Sequence, residues 1–166
     1  MKRLLCILLL TVFLLSGCQN QSGYDAPVKF YYQRAQVSYF TDNGVIDYEI
    51  HEAQGYSTDY KYLLSLYLAG PEQPELKQIF PDNVTLVALE LTENTAIVTL
   101  SDEIVRLTGL DLTIASACLS ATVCEMTGVT SVTIRAANLL IDGNKSITMN
   151  RNHILLLDSS TAGIGN

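Results

Sequence analysis

The chain has 166 residues, of which 17 are acidic and 10 are basic, and its formal net charge at pH 7 is −7. The basic residues do not cluster, which argues against a nucleic-acid partner and against binding to anionic lipid headgroups through charge. This length is sufficient for one domain with a hydrophobic core.

The N-terminus has the parts of a bacterial lipoprotein signal. Two basic residues precede an apolar stretch over residues 4–15, which is shorter than the roughly 20 residues that a membrane-spanning helix needs. Leu15-Ser16-Gly17-Cys18 follows and resembles the bacterial lipobox, in which small residues fit the peptidase and the cysteine thiol accepts diacylglycerol. We therefore expect a signal peptide over residues 1–17 and a lipid on Cys18. An uncleaved anchor with an incidental cysteine is the alternative.

Cleavage has consequences for charge and location. It would remove Lys2 and Arg3, two of the 10 basic residues, and would leave eight basic and 17 acidic residues with a formal charge of −9. Residues 18–27 begin with a polar run typical of a flexible tether. We expect a protein attached to the cell membrane through the lipid, on the extracytoplasmic face.

The first predicted elements after the tether are three strand-like segments, of which the second is the short run Val37–Phe40. Val28–Tyr32 is rich in β-branched and aromatic residues, which favour strands. Asp42-Asn43-Gly44 is a strong turn signal, and Val45–Ile50 follows it as a further strand. The pattern predicts an N-terminal β-hairpin.

A helix over residues 58–69 is predicted next. Ser57-Thr58-Asp59 supplies N-cap candidates, apolar residues then recur at helical spacing, and Gly70-Pro71 ends the helix. Two prolines predict a loop over residues 72–83, with one helical turn around Leu76.

An antiparallel strand pair follows the loop. Val84–Leu91 and Ala96–Leu100 are strand-like segments joined by a turn over residues 92–95. Ser101-Asp102 can cap a short helix, and Gly109 is expected to end it.

The second long helix is predicted over Asp111–Met126. Its apolar residues cover most of its circumference, and the polar positions Thr113, Ser116 and Ser120 are expected to form only a narrow wet face. Such a helix lies largely buried across a sheet. Cys118 and Cys124 are six residues apart, about 9 Å of helical rise, so we expect free thiols.

Two more strands complete the chain. Val129–Leu140 and the weaker Ile147–Leu157 are joined by a turn at Asp142-Gly143-Asn144, and residues 159–166 are expected to be a disordered tail. The whole pattern predicts a single α+β domain over residues 28–158.

Four segments, in this order, resemble the GerMN domain, the sporulation and spore germination domain of bacterial lipoproteins. They are Tyr62–Pro71, Ile79–Leu86, Ala96–Glu103 and Gly128–Ile134. The sequence departs from the family pattern at Asn83, Thr99 and Ile104, where glycine, aspartate and phenylalanine are usual.

This resemblance implies a fold and a kind of function. Together with the predicted elements, it implies two main helices on one face of a mainly three-stranded mixed sheet, similar to the ring-building motif, with the extra hairpin at the N-terminus. It also implies assembly or binding rather than catalysis, and no cofactor is expected.

The polar residues do not form a known motif for catalysis or metal binding. His51 and His153 are the two histidines, and they do not have the spacing of metal ligands. Asp102 and Glu103 are adjacent, so they do not face each other on a helix and are better explained as charges at a helix N-terminus. We therefore expect no catalytic residues, no metal and no enzyme.

The tyrosines are unevenly distributed. All nine lie between Tyr24 and Tyr67, which is consistent either with core packing or with an aromatic binding face. We expect Tyr39 and Tyr48 to contact a cell-envelope protein or glycan. The expected function is a non-catalytic interaction module in cell-envelope or sporulation and germination assembly. The alternative is a lipoprotein that binds or hydrolyses wall glycan or peptide.

Overall fold

The computed structural model describes residues 26–37, 44–53 and 55–154. The predicted signal peptide, Cys18, Tyr39 and the predicted tail at residues 159–166 lie outside the described residues. Most of the predicted tether lies outside them as well.

An antiparallel sheet of three strands forms the N-terminal part of the fold. Its strands are β1 (Val28–Arg34), β2 (Ile46–His51) and β3 (Leu76–Lys77), in the order β2-β1-β3. β1 and β2 pair along almost their whole length, so the predicted N-terminal hairpin is formed by the first and third of the predicted strand-like segments. Most of the second segment, Val37–Phe40, lies outside the described residues.

The prediction of a helical turn around Leu76 is wrong. Leu76 is a β3 residue that pairs with Arg34 of β1, and the Ala35 N–H donates to the Glu75 carbonyl at 2.8 Å. Leu76 is also buried in the core. Because this short strand exists only through its pairing with a distant segment, its local sequence gives no strand signal.

The first helix, α1 (Tyr60–Ala69), ends at the predicted residue and begins two residues later than predicted. The Asp59 side chain accepts a hydrogen bond from the Tyr62 N–H at 3.0 Å and caps the first turn. At the other end Gly70 has a φ of 105° and donates its N–H to the Tyr67 carbonyl. Pro71 cannot continue the helix.

A four-stranded mixed sheet forms the second layer. Its strands are β4 (Leu86–Leu91), β5 (Thr95–Leu100), β6 (Ser131–Ala136) and β7 (Ile147–Asn150), in chain order across the sheet. β5 and β6 are parallel, and the other two pairs are antiparallel. The α+β class is confirmed, and β7 adds a fourth strand to the sheet that was expected to be mainly three-stranded.

Several predicted boundaries are wrong by a few residues. The last two strands end at Ala136 and Asn150 rather than at residues 140 and 157, and a 3₁₀ turn over Arg151–His153 follows β7. The short helix predicted from Ser101 is a 3₁₀ helix over Asp102–Arg106.

The second helix, α2 (Gly109–Thr127), connects β5 to β6. Gly109 has a φ of 56° and begins this helix, whereas it was predicted to end the preceding one. Gly128, with a φ of 77°, closes α2 by donating its N–H to the Cys124 carbonyl at 2.9 Å.

α2 is covered on two sides. It packs on β6 and β7 of the four-stranded sheet, and it also lies along β1, where the Tyr31 N–H donates to Thr122 Oγ1 at 2.9 Å. Ser116 and Ser120 are consequently buried, so the narrow wet face predicted for them is wrong. By length and composition α2 could cross a membrane, but most of it is buried inside the fold.

The two cysteines of α2 are free and buried, as predicted. Burial raises the pKa of the Cys118 thiol to about 12, and it raises the pKa of Cys124 as well. Both thiols are therefore protonated at neutral pH and behave as small apolar side chains.

Candidate interaction surfaces

Tyr48 is the described member of the two tyrosines predicted to bind a partner. It lies on β2, an outer strand of the three-stranded sheet, and 41% of its surface is exposed. Its ring packs against Tyr31 at a centroid distance of 5.6 Å, and Lys29 Nζ lies 4.5 Å from the ring centre. Ile50, on the same side of β2, is 60% exposed. We call Lys29, Tyr48 and Ile50 the Tyr48 patch.

The strand that carries this patch is fixed from its other side. Glu49 follows Tyr48 on β2, so its side chain lies on the opposite side of the sheet, where it is buried. Its carboxylate accepts hydrogen bonds from the N–H groups of Glu72 at 3.1 Å and Gln73 at 3.2 Å. These bonds join β2 to the turn after α1. The Tyr48 patch is therefore presented on a firmly held strand rather than on a loop.

Other tyrosines of the same region belong to the core. The Tyr32 hydroxyl donates to the Tyr67 carbonyl at 2.8 Å, and the Tyr67 hydroxyl donates to the Tyr31 carbonyl at 3.0 Å. The rings of Tyr32 and Tyr67 stack with centroids 4.9 Å apart. Burial raises the pKa of both phenols far above the usual value. Some of the clustered tyrosines therefore pack in the core, and others are exposed on the surface.

A second exposed aromatic pair was not predicted. The rings of Tyr56 and Tyr62 lie 4.5 Å apart, and the two residues are 49% and 41% exposed. Tyr62 lies off the buried stripe formed by Leu63, Leu64 and Tyr67, and this offset was the available sequence signal.

A cleft of about 670 Å³ lies between α1 and the beginning of β4. Its walls combine small, apolar and amide side chains with a single charged one, Asp82. Ten residues line it: Ser65, Leu68, Ala69, Gln78, Pro81, Asp82, Asn83, Val84, Thr85 and Leu86. The cleft was not predicted, because the loop pattern of residues 72–83 carries no information about which helix packs beside it.

The polar residues considered for chemistry have structural roles. The His51 ring stacks on Phe30 at 5.0 Å. The Asp102 carboxylate accepts the Asn138 N–H at 2.8 Å and the Leu139 N–H at 3.2 Å, and the hydrogen bonds from Asn138 lower its pKa. Within the described ranges there is no group of three or more His, Cys, Asp or Glu side chains that could hold a metal ion.

Two structures of the sporulation protein GerM from Bacillus subtilis are similar to this chain. The structure of its tandem GerMN domains matches with a TM-score of 0.53 and 16% identity, over 72% of this chain and 43% of that one. The structure of its first GerMN domain matches with a TM-score of 0.53 and 13% identity, over 72% of this chain and 90% of that one. This chain thus spans less than half of the tandem structure.

Comparisons by sequence give no match, either to a family model or to a curated protein. The similarity is therefore one of three-dimensional structure. At sequence identities of 16% and 13% it shows the fold alone. The chain has the fold of a GerMN domain.

Proposed function

We propose that this protein is a membrane-anchored, extracytoplasmic lipoprotein whose domain is a non-catalytic binding module in cell-envelope assembly. The observation that carries the proposal is the fold shared with the GerMN domains of a sporulation protein. A role in sporulation or germination assembly is the specific form of this proposal.

The anchor in this proposal is the lipid on Cys18. β1 begins at Val28, so ten residues over 18–27 separate the lipid from the domain. Even a fully extended tether of this length spans at most about 35 Å. The domain would therefore work within the layer next to the membrane.

The Tyr48 patch is the surface that we assign to partner binding, with Tyr39 as the second predicted contact. An exposed tyrosine flanked by an aliphatic side chain and a cation offers apolar area and hydrogen-bonding capacity together. A cell-envelope protein is the partner that we favour, and a wall glycan is the alternative.

A hydrolase acting on the wall is less well supported. Such an enzyme needs a nucleophile or water together with an acid or base in one cleft. Asp82 is the one ionisable side chain among the described residues that line the cleft.

The anchor is tested by Cys18→Ser. We expect the variant to remain uncleaved or to be released from the membrane, and to incorporate no labelled palmitate, because the thiol that accepts the lipid is gone. Detergent partitioning and the mass of the N-terminus measure this. A variant that still matures and partitions like the wild type would show that the anchor is not at Cys18.

The binding surface is tested by a Tyr39→Ala, Tyr48→Ala double variant. Truncation of an interface tyrosine can cost about 2 kcal/mol or more at a hot spot, so we expect its crosslinks on the cell surface to be lost. The matched control is a Tyr56→Ala, Tyr62→Ala double variant, because these two tyrosines are also exposed but lie outside the Tyr48 patch. If the crosslinks persist in a Tyr39, Tyr48 variant with an unchanged melting temperature, this surface is not the binding site.

A further inference from the structure

The cleft between α1 and β4 lies at the start of β4, whose first residue, Leu86, lines it. Among the described residues β4 is an outer strand of the four-stranded sheet. The Thr92 N–H donates to the Thr95 carbonyl at 2.9 Å, which marks the hydrogen-bonded pair at the end of the β4–β5 hairpin. In an antiparallel ladder such pairs alternate with pairs that do not bond each other. By this alternation the backbone N–H and C=O groups of Leu89 and Leu91 point away from β5.

Two apolar side chains of β4 are exposed. The ladder is irregular between Leu86 and Ala88, and Val87 at this bulge is 55% exposed. Leu91, at the other end of β4, is 44% exposed. The edge therefore offers apolar side chains as well as backbone groups over a strand of six residues, about 20 Å long.

The opposite wall is a helix face with small side chains. Ser65 and Ala69 are exposed on α1 and line the cleft. The Ser65 hydroxyl is turned back to the Lys61 carbonyl at 2.9 Å, so it does not project into the space. On this side the cleft of about 670 Å³ is therefore bounded by small side chains.

We propose that an extended segment of a partner protein binds between α1 and β4, adds a strand to the β4 edge and places an apolar side chain in the cleft. An edge that presents alternating N–H and C=O groups is matched in full by another extended backbone. Leu68, Val84 and Leu86 give the cleft its apolar surface.

Charge indicates the composition of the segment. Asp82 is the only charged residue among the ten that line the cleft, and the whole chain has a net charge of −7. A segment with lysine or arginine beside its apolar residue complements this site, whereas an acidic segment is repelled. This inference rests on the proposed binding function, but it does not require the lipid anchor or the Tyr48 patch.

The probes are three pools of synthetic nonapeptides. In each pool, alternate positions are drawn from Val, Ile, Leu, Phe and Tyr, and the remaining positions are all Lys, all Glu or all Ser. The full-length chain, purified in a nonionic detergent, is titrated with each pool. We expect the Lys pool to bind at least tenfold more tightly than the Glu pool. We also expect amide exchange at Leu89 and Leu91 to slow when the Lys pool is bound.

Ser65→Trp is the variant that fills the cleft. Thr113→Trp is its matched control, because Thr113 is also exposed on a helix and its hydroxyl also bonds the carbonyl four residues earlier, that of Gly109 at 3.0 Å. We expect Ser65→Trp to weaken binding of the Lys pool at least tenfold and Thr113→Trp to leave it unchanged. N-methylation of alternate peptide nitrogens removes the donors needed for strand pairing, so it should abolish binding.

The results separate this inference from the wider proposal. Binding that survives Ser65→Trp or N-methylation would overturn it, as would the absence of binding by all three pools or pairing of two copies of this chain through β4. Loss of the Tyr48 crosslinks on cells with retention of peptide binding would leave the inference intact. Retention of those crosslinks in a Ser65→Trp chain that binds no peptide would show that the two surfaces act separately.

Discussion

Tyr31, Tyr32 and Tyr67 form a buried network. Its two hydroxyl donors, those of Tyr32 and Tyr67, each bond a backbone carbonyl. Tyr32 donates to the Tyr67 carbonyl, and Tyr67 donates to the Tyr31 carbonyl. β1 and α1 are thereby linked through side chain and backbone in both directions. Burial of a phenol is favourable only because such a partner is present.

Removal of one of these hydroxyls should have a modest effect on stability. In Tyr32→Phe the Tyr67 carbonyl keeps the N–H of Gly70, at 3.2 Å, as a donor, so no acceptor is left unpaired. We expect a loss of about 1 kcal/mol in the free energy of unfolding, measured by urea denaturation. Tyr48→Phe is the matched control at an exposed site and should be nearly neutral. A loss above about 3 kcal/mol would mean that the hydroxyl has a further role.

The buried thiol of Cys118 predicts a loss of stability at alkaline pH. Its pKa in the folded protein is about 12, against 9.0 for an ordinary thiol, so below pH 9 the thiol is protonated in both states. As the pH rises above 9 the unfolded state ionises and the folded state does not, which favours unfolding. The resulting slope is about 1.4 kcal/mol per pH unit.

Urea unfolding at pH values from 8 to 10, with a reducing agent, measures this slope. Cys118→Ala should flatten it, even though the variant is less stable at every pH because of the cavity. Cys124→Ala should keep the contribution of Cys118. An equal slope in the wild type and in Cys118→Ala would contradict the prediction.

The sequence indicated which residues of the candidate site were unusual, but not which of them are exposed. Tyr48 and Tyr32 belong to neighbouring strands with the same strand-favouring composition, yet one is exposed and the other is buried. The difference depends on which side of β1 and β2 faces α1, and this is a tertiary contact. Tyr56 and Tyr62 were missed for the same reason, since their pairing joins a loop to a helix.

At the scale of elements, α2 shows how the surroundings determine the meaning of a pattern. Thr113, Ser116 and Ser120 look like one polar stripe, but the structure exposes the first and buries the other two against the fold. Within the described part of the chain, the hydroxyls of Ser116 and Ser120 have no hydrogen-bond partner. Ser116 and Ser120 therefore fit the packing of α2 because their side chains are small, and their polarity makes no contribution.

Ser120→Ala should therefore not destabilise the protein. It removes a buried hydroxyl without creating a large cavity, and we expect a gain of up to about 1 kcal/mol in the free energy of unfolding. Ser65→Ala, at an exposed site of α1, is the control and should change stability by less than about 0.5 kcal/mol. A clear loss in Ser120→Ala would indicate that the hydroxyl binds a buried water molecule.

Elements with strong local signals were predictable, and elements made by distant pairing were not. α1 has an N-cap at Asp59 and a stop at Gly70, so both of its ends follow from the sequence. The β4–β5 pair likewise follows from a turn between two strand-like segments. β3 has no comparable signal, because Leu76 is a strand residue only through its pairing with Arg34 of β1.

At the scale of the whole molecule, the described residues form two sheets and two α-helices with one continuous set of buried residues. That set runs from Phe30 in β1 through Leu119 in α2 to Ile134 in β6. The proposed binding surfaces lie at its border, on the outer strand β2 and beside β4, where Leu68 and Val84 belong both to this set and to the lining of the cleft. Substitutions of exposed residues such as Tyr48 and Ser65 can therefore be tested with little loss of stability.

Because α2 is covered by both sheets, neither sheet can separate without uncovering the helix. The molecule should therefore behave as one cooperative unit, with a single calorimetric transition whose van't Hoff and calorimetric enthalpies agree. The amides of α2 should be among the last to exchange with deuterated solvent, at a rate set by global unfolding. A destabilising change in β1, such as Phe30→Leu, should then accelerate exchange in β6 by the same factor as in β1. Slow exchange that persists in β6 would show that the two sheets open independently.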